Sequence, residues 1–217
     1  MSNVGSALDY FLGDVSDGHT AGVGNNKVAT EDISLLGEHY GVMLGLADPL
    51  GYLDVGPTSS GRVDGLPQTD NEVEFEDLVM FALNYELVSA PQMGGQRAGG
   101  EASGSDALVL ERAERVAPGQ PVTVTLRLQG SGALLALSIK LAWDAGVVEP
   151  VSHEASEWLT GQGGVAFSAK PGMVDAAVLR GQGMSGEGVL ATVTFKVLSA
   201  GDPKIRVVAT DGRNAGN

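Results

Sequence analysis

A multidomain chain is predicted, with a small all-α unit at the front and an all-β jelly-roll sandwich of eight or nine strands behind it. Three observations predict this. An acidic loop leading into an apolar helix occurs twice before residue 90, and short strands with apolar–polar alternation fill the chain from residue 106. Between them, 91–105 is dominated by Gly, Ser, Ala and Gln without apolar periodicity, the composition of a flexible linker. The boundaries are therefore 1–90, 91–105 and 106–217.

Charge divides the chain the same way. Residues 1–90 hold fifteen acids against only Lys27 and Arg62, whereas 91–217 hold twelve acids against eleven bases. Nearly all of the formal charge of −14 thus belongs to the front segment. Such self-repulsion opposes compaction unless cations neutralise it, and it makes nucleic acid and anionic membranes poor partners. No apolar run is long enough to predict a membrane span. The chain has no cysteine, which excludes disulfides and thiolate metal sites. The first residues carry neither a basic flank nor an apolar core, so no signal peptide is visible; export would require a signal removed from or lying outside this sequence.

The duplicated segment is the most informative. In the first copy Asp14 opens a loop, Asn25 stands three before Val28, and Asp32 follows Val28 by four. In the second, Asp54, Asp70, Val73 and Asp77 repeat these relations around a longer insert. Oxygen-bearing side chains at repeated loop offsets suit a hard divalent cation. Helices are predicted over 32–40 and 76–88, each with acids at the positive end of its dipole. The second is apolar on almost every side, through Leu78, Val79, Met80, Phe81, Ala82 and Leu83. A small unit cannot bury all of such a helix, so part of it is expected to dock elsewhere.

In the rear domain, strands are predicted over 108–112, 122–128, 134–143, 147–151, 165–169, 174–179, 189–198 and 205–209. Val122-Thr123-Val124-Thr125-Leu126 and Ala191-Thr192-Val193-Thr194-Phe195 alternate most cleanly. Gly, Pro and Asp turns between such strands predict a sandwich.

The paired loop–helix units resemble a type I dockerin, an EF-hand-like calcium module that pairs with cohesins. The stretches Val116-Ala117-Pro118-Gly119-Gln120-Pro121-Val122, Leu137-Ser138-Ile139-Lys140-Leu141-Ala142-Trp143-Asp144 and Gly186-Glu187-Gly188-Val189-Leu190-Ala191-Thr192 resemble a cohesin. The dockerin resemblance implies two Ca2+ sites. Asp14, Asn25 and Asp32 take the first, fifth and last ligand places of loop one; Asp54, Asp70 and Asp77 take those of loop two. The carbonyls of Lys27 and Glu72 would supply the mid-loop oxygens. The third place holds Ser16 in one loop and Gly56 in the other, so Asp17 and Asp64 are further candidate ligands. Aspartate in the last place implies a structural ion and not a switch. The family's matching recognition residues are absent, since Thr30-Glu31 and Phe75-Glu76 differ. One partner face is therefore expected, formed by Thr30, Glu31, Phe75, Val79, Met80 and Leu83.

An enzyme is not expected. His19, His39 and His153 share no motif spacing with a nucleophile, and Gly181-Gln182-Gly183-Met184-Ser185-Gly186 precedes a strand where a phosphate loop needs a helix. A polysaccharide-binding surface protein is the alternative, but a flat sugar platform needs several coplanar aromatics. Here Trp143, Phe167 and Phe195 fall in predicted strands, and Trp158 sits in a loop. The sequence thus predicts an extracellular or cell-surface assembly protein that is calcium-dependent and binds a cohesin- or dockerin-type partner. That partner is either another copy, giving head-to-tail filaments or rings, or a different protein joined by a scaffold adaptor; a clasp within one chain is the third arrangement.

Overall fold

The computed structural model describes residues 11–61, 63, 65–87 and 106–214. The predicted linker and the candidate ligand Asp64 lie outside them. The chain divides into two compact units, Met1–Gly99 and Gly100–Ala215.

The first unit carries helices α1 (Thr30–Glu38) and α2 (Phe75–Asn84). Each begins earlier than the sequence predicts. Asp32 and Asp77 stand at the third helical position, where each carboxylate reaches back to the amide of the residue before the helix. Ala29 N–H donates to Asp32 at 2.7 Å and Glu74 N–H donates to Asp77 at 2.9 Å. An acid placed there satisfies one of the orphan donors of a helix N-terminus. α2 also ends earlier, at Asn84, whose side-chain amide donates to the Leu12 carbonyl at 2.9 Å. Beyond it Tyr85 turns extended and bridges Val28.

In α1 only Asp32, Ile33 and Leu36 are buried, one stripe of a surface helix. In α2 every residue except Glu76 is buried. Phe11, Leu12, Val15, Val28, Leu53, Val55 and Val73 are also buried in this unit. α2 is thus an interior helix. Gly56 lies against its first turn, where a Cβ would stand 2.5 Å from the Glu76 carbonyl. Glycine occupies this place because the helix backbone does.

The second unit is a sandwich of two antiparallel four-stranded sheets. The strands are β1 (Ala107–Glu111), β2 (Val122–Ser131), β3 (Leu134–Ala142), β4 (Val148–Ala155), β5 (Gly164–Phe167), β6 (Met173–Val178), β7 (Ser185–Val197) and β8 (Arg206–Asn214). One sheet has the order β1-β2-β7-β4 and the other β5-β6-β3-β8. The core between them includes Val124, Leu126 and Leu128 of β2, Leu137, Ile139 and Leu141 of β3, Val174, Ala176 and Val178 of β6, and Val193 and Phe195 of β7. Trp143 meets Phe195 edge-on, with ring centroids 5.9 Å apart.

β7 and β8 outrun their predicted spans because their glycines belong to strands instead of turns. β7 begins at Ser185, paired with Ser131, and β8 continues through Gly212, paired with Leu137. Gly188 explains one of these. Trp158 lies in a short helix, α3 (Glu157–Thr160), rather than the loop predicted for it, and its ring covers Gly188. A Cβ on Gly188 would sit 2.2 Å from Trp158 Cγ. Strand-interior glycine commonly marks such an approach. Gly188→Val is expected to displace the ring and lower stability by about 1–3 kcal/mol, with a red-shifted tryptophan emission. An unchanged denaturation midpoint and spectrum would refute this packing.

Candidate functional site: carboxylate loops and an outward sheet face

The duplicated loops fold alike, as matching backbone features show. Asn26 and Asn71 both take left-handed conformations, at φ 65° and 68°, a region in which Asn is enriched. The sequence signal was the asparagine at the same place in both copies. In loop one, Asp14 accepts from the Asn25 amide at 2.7 Å and the Asn26 amide at 2.6 Å, one on each oxygen. Asp32 Oδ1 accepts from Val15 and Ser16 N–H, both at 2.8 Å, and Oδ2 accepts from Ala29. Each loop is cross-tied, the opening aspartate holding the far end and the closing aspartate the near end. Loop two repeats the second tie: Asp77 Oδ1 accepts from Val55 at 2.7 Å and Gly56 at 2.8 Å, and Oδ2 from Glu74.

The other predicted ligands are spread more widely. Asp17 turns its Oδ1 onto His19 and Thr20 N–H, and Ser16 Oγ accepts from Gly18. The Asn25 side-chain amide donates to Glu31 at 3.3 Å. Lys27 lies exposed in the loop. Asp70 Oδ1 accepts from Glu72 N–H at 2.9 Å. Asp54 accepts from Asn71 N–H on Oδ2 only. It is 4% exposed, and its Oδ1 is the buried side-chain oxygen without a partner among the described residues.

Among the described residues no three His, Cys, Asp or Glu side chains converge as a metal-ligating cluster. Calcium takes six to eight oxygens. Loop one fits that demand poorly, because backbone amides already hold both oxygens of Asp14 and of Asp32. In loop two Asp77 is held in the same way, and Asp54 Oδ1 alone keeps no hydrogen-bond partner among the described residues.

Electrostatics agree with the degree of burial. Burial raises the Asp32 carboxyl above its ordinary value, and the charge of Asp14 adds to this against the lowering effect of its three amide bonds. Burial and then Asp70 raise Asp54, opposed by the Asn71 and Asp70 amides. Asp77 is pushed up to about 7, by burial first and Asp54 second. Asp17, at the surface, is lowered by its bonds from His19 and Thr20 N–H.

The residues expected to form a partner face differ in exposure. Phe75, Val79, Met80 and Leu83 are all buried. Thr30 and Glu31 remain at the surface, with Thr30 Oγ1 hydrogen-bonded to the Tyr85 hydroxyl at 3.0 Å.

A different face draws notice in the sandwich. Strand alternation turns Ala136, Ser138 and Lys140 of β3 and Met173, Asp175 and Ala177 of β6 away from the core. Two rows cross this sheet in register, Val165–Ala177–Ala136–Arg213 and Phe167–Asp175–Ser138–Asp211. Although outward, Ala136, Ala177 and Asp175 are fully buried. Asp175 Oδ1 accepts from the Ser138 hydroxyl at 2.5 Å. The outward face of the other sheet is longer-chained, with Thr123, Thr125, Thr192 and Thr194 and the exposed ion pairs Arg127–Glu111 at 2.7 Å and Lys196–Glu149 at 3.1 Å. Asp175 went unnoticed in the sequence; its signal was an aspartate inside the apolar run Met173-Val174-Asp175-Ala176-Ala177-Val178.

The Asp77 shift has a pH consequence. Unfolded, this carboxyl titrates near 3.9, and folded it titrates at about 7. The folded state therefore holds the proton more tightly. Its stabilising effect is complete below the unfolded value and is lost as pH rises through about 7. Asp32 and Asp54 shift in the same direction. Chelator-treated protein is expected to gain a few kcal/mol of stability between roughly pH 8 and pH 5. Asp77→Asn should flatten that slope while lowering the stability at pH 5. Urea denaturation across this range is the measurement, and a flat wild-type profile would refute the shift.

Comparison with known proteins agrees with the sandwich. No curated protein matches. The Cohesin domain family matches residues 107–215. Among solved structures, the sixth cohesin of scaffoldin B from Acetivibrio cellulolyticus, solved with a Cel5 dockerin, is 18% identical, with a TM-score of 0.42 over 52% of this chain and 88% of that one. A type I cohesin–dockerin complex from Clostridium thermocellum gives 14%, a TM-score of 0.38 and coverages of 50% and 87%. A non-cellulosomal cohesin from Archaeoglobus fulgidus gives 16%, 0.36, and coverages of 51% and 83%. With residues 107–215 matched, this chain belongs to the cohesin domain family.

Proposed function

We propose that this chain is a non-enzymatic, extracellular or cell-surface assembly protein whose sandwich receives a dockerin-type module on the outward face of sheet β5-β6-β3-β8. Cohesin domains serve protein–protein assembly, which supports the general role. The observation that carries the choice of face is its centre. Half-buried Ser138 pairs in register with Asp175, and Ala136 with Ala177; Asp175 and both alanines are fully buried although on outward positions. Lys140, Asp211 and Arg213 supply a charged margin. The accessible part of this face is half-buried Ser138 among charged neighbours, a polar surface of the kind that sets specificity.

The residues would act as follows. Half-buried Ser138, its hydroxyl held by Asp175, offers a fixed oxygen where a wrongly placed partner group would lose its water without compensation. The loop–helix unit resembles the partner class, so a second copy and a separate protein are both admissible occupants. Calcium belongs to this reading as the ion that offsets the charge of the acidic loops when bound. Neither tryptophan favours a glycan platform, since Trp143 packs on Phe195 and Trp158 on Gly188.

Binding of a dockerin module to the full chain is measured by calorimetry. Ala177→Arg is expected to weaken it at least a hundredfold, and Thr125→Arg on the opposite sheet should leave it within threefold. Equal effects of the two would refute the assigned face. Light scattering in calcium and then in chelator separates the occupants: particles larger than one chain that disperse on chelation identify a second copy, and a monomer in both defeats polymerisation.

A further inference from the structure

We propose that a cavity at the α3 end of the sandwich binds a sugar acid, a hydroxyl-rich ring bearing one carboxylate, through Arg180 and the glycine loop beside it. This site is independent of the calcium and docking readings above.

The cavity lies between two turns, 161–163 joining α3 to β5 and 179–184 joining β6 to β7. Its volume is about 430 Å³, within the roughly 300–1,000 Å³ of small-molecule sites. The run Gly181-Gln182-Gly183-Met184-Ser185-Gly186 leads into a strand, so it lacks the helix dipole of a nucleotide loop. In the folded chain it walls this cavity instead.

Both walls are fixed. Gln162 crosses between them: its side-chain amide donates to the Trp158 carbonyl at 3.1 Å, and its oxygen accepts from Ser185 N–H at 2.9 Å. Leu179 N–H donates to the Gly163 carbonyl at 3.2 Å. Behind the loop, Met184 N–H donates to the Leu134 carbonyl and Gly132 N–H donates to the Met184 carbonyl, both at 2.8 Å. Gly183 presses so closely there that a Cβ would stand 2.0 Å from the Gly132 carbonyl oxygen. A site held this way needs little ordering on binding.

The chemistry on offer suits an anion. Arg180 stands in the left-handed region at φ 71°, where a residue other than glycine is uncommon, and Gly181 follows at 61°. Backbone of this kind clusters at ligand sites. Among the described residues no acceptor meets the amides of Gly181, Gln182 and Gly183. No acid stands among the described residues that line the cavity. A guanidinium fork takes a carboxylate by two parallel hydrogen bonds.

The rest of the lining selects the body of the ligand. Val178 is the one apolar side chain among the lining residues described, and it is fully buried. An apolar tail would find little to pack on. Gln182 and Ser185 each donate and accept, which suits the hydroxyls of a sugar ring. Charge and hydrogen bonds would here do what stacking on aromatics does for a neutral glycan.

The test is an amide-resolved NMR titration of the full chain with glucuronate, glucose and sodium sulfate, in wild type, R180Q, Q182A and K204Q. Glucuronate is expected to saturate and to shift the amides of 161–163 and 180–185. Glucose and sulfate should each bind at least tenfold more weakly. R180Q should lose at least tenfold in affinity for glucuronate and Q182A at least threefold. K204Q, beyond the far end of β7, should stay within threefold. The spectra also report folding, so Q182A decides the matter should R180Q fail to fold. Absent saturation, equal loss in R180Q and K204Q, or glucose binding as well as glucuronate overturns the proposal. Sulfate binding as tightly as glucuronate overturns the sugar assignment and marks a free-anion site.

Discussion

A carboxylate withdrawn from water must find donors or a cation in exchange, and that requirement organises this chain. It falls on Asp32, Asp54, Asp77 and Asp175, all buried. Asp32 and Asp77 meet it with three backbone amides each, and in doing so they close their loops and start their helices in one stroke. Removing either would release both loop strands and a helix terminus together. The front unit owes its shape to two such knots in about eighty residues, a size at which apolar burial alone leaves little margin.

Much of this was legible in the sequence, and the part that was not shares one cause. The duplication correctly marked two loops and two helices, because acid-then-apolar spacing is a local property. It did not reveal which atoms the acids serve. An aspartate at the third helical position is equally suited to capping the helix and to ligating an ion, and spacing does not distinguish the two. Only the third dimension shows Val15 and Ser16 N–H pointing at Asp32. The inserts mislead similarly: Gly24 reads as slack in the chain but is the wall of the Asp14 pocket.

In the sandwich the alternation of Thr with Val, Leu and Phe located β2 and β7, since period two is imposed by the pleat itself. Glycine concealed the strand ends. Gly188 and Gly212 look like turn signals, yet one lies beneath an indole ring and the other in register with Leu137. The proposed docking face was invisible for a related reason. Ala136 and Ala177 are unremarkable in sequence, and their pairing across β3 and β6 is a fact of register that no single strand encodes.

The burial of α2 changes what the front unit can offer a partner. An apolar helix face had been the natural candidate for docking on a sheet, but Phe75, Val79, Met80 and Leu83 are already spent on the interior. Exposing them to a partner would first remove them from the core, at roughly 1.5–3 kcal/mol for each side chain, which no ordinary interface returns by burying the same atoms again. Under the proposed role, a contact would draw on what stands at the surface: α1 with Thr30 and Glu31, and the exposed side chains of Met43, Leu46 and Leu66. Such an interface would be mixed in polarity, with specificity set by a few hydrogen bonds more than by area. On the sandwich side, the Ser138–Asp175 pair supplies a polar group of the required kind. The two ends of a dockerin-type contact would then be matched by polar register over small side chains, with the apolar core of each unit left intact.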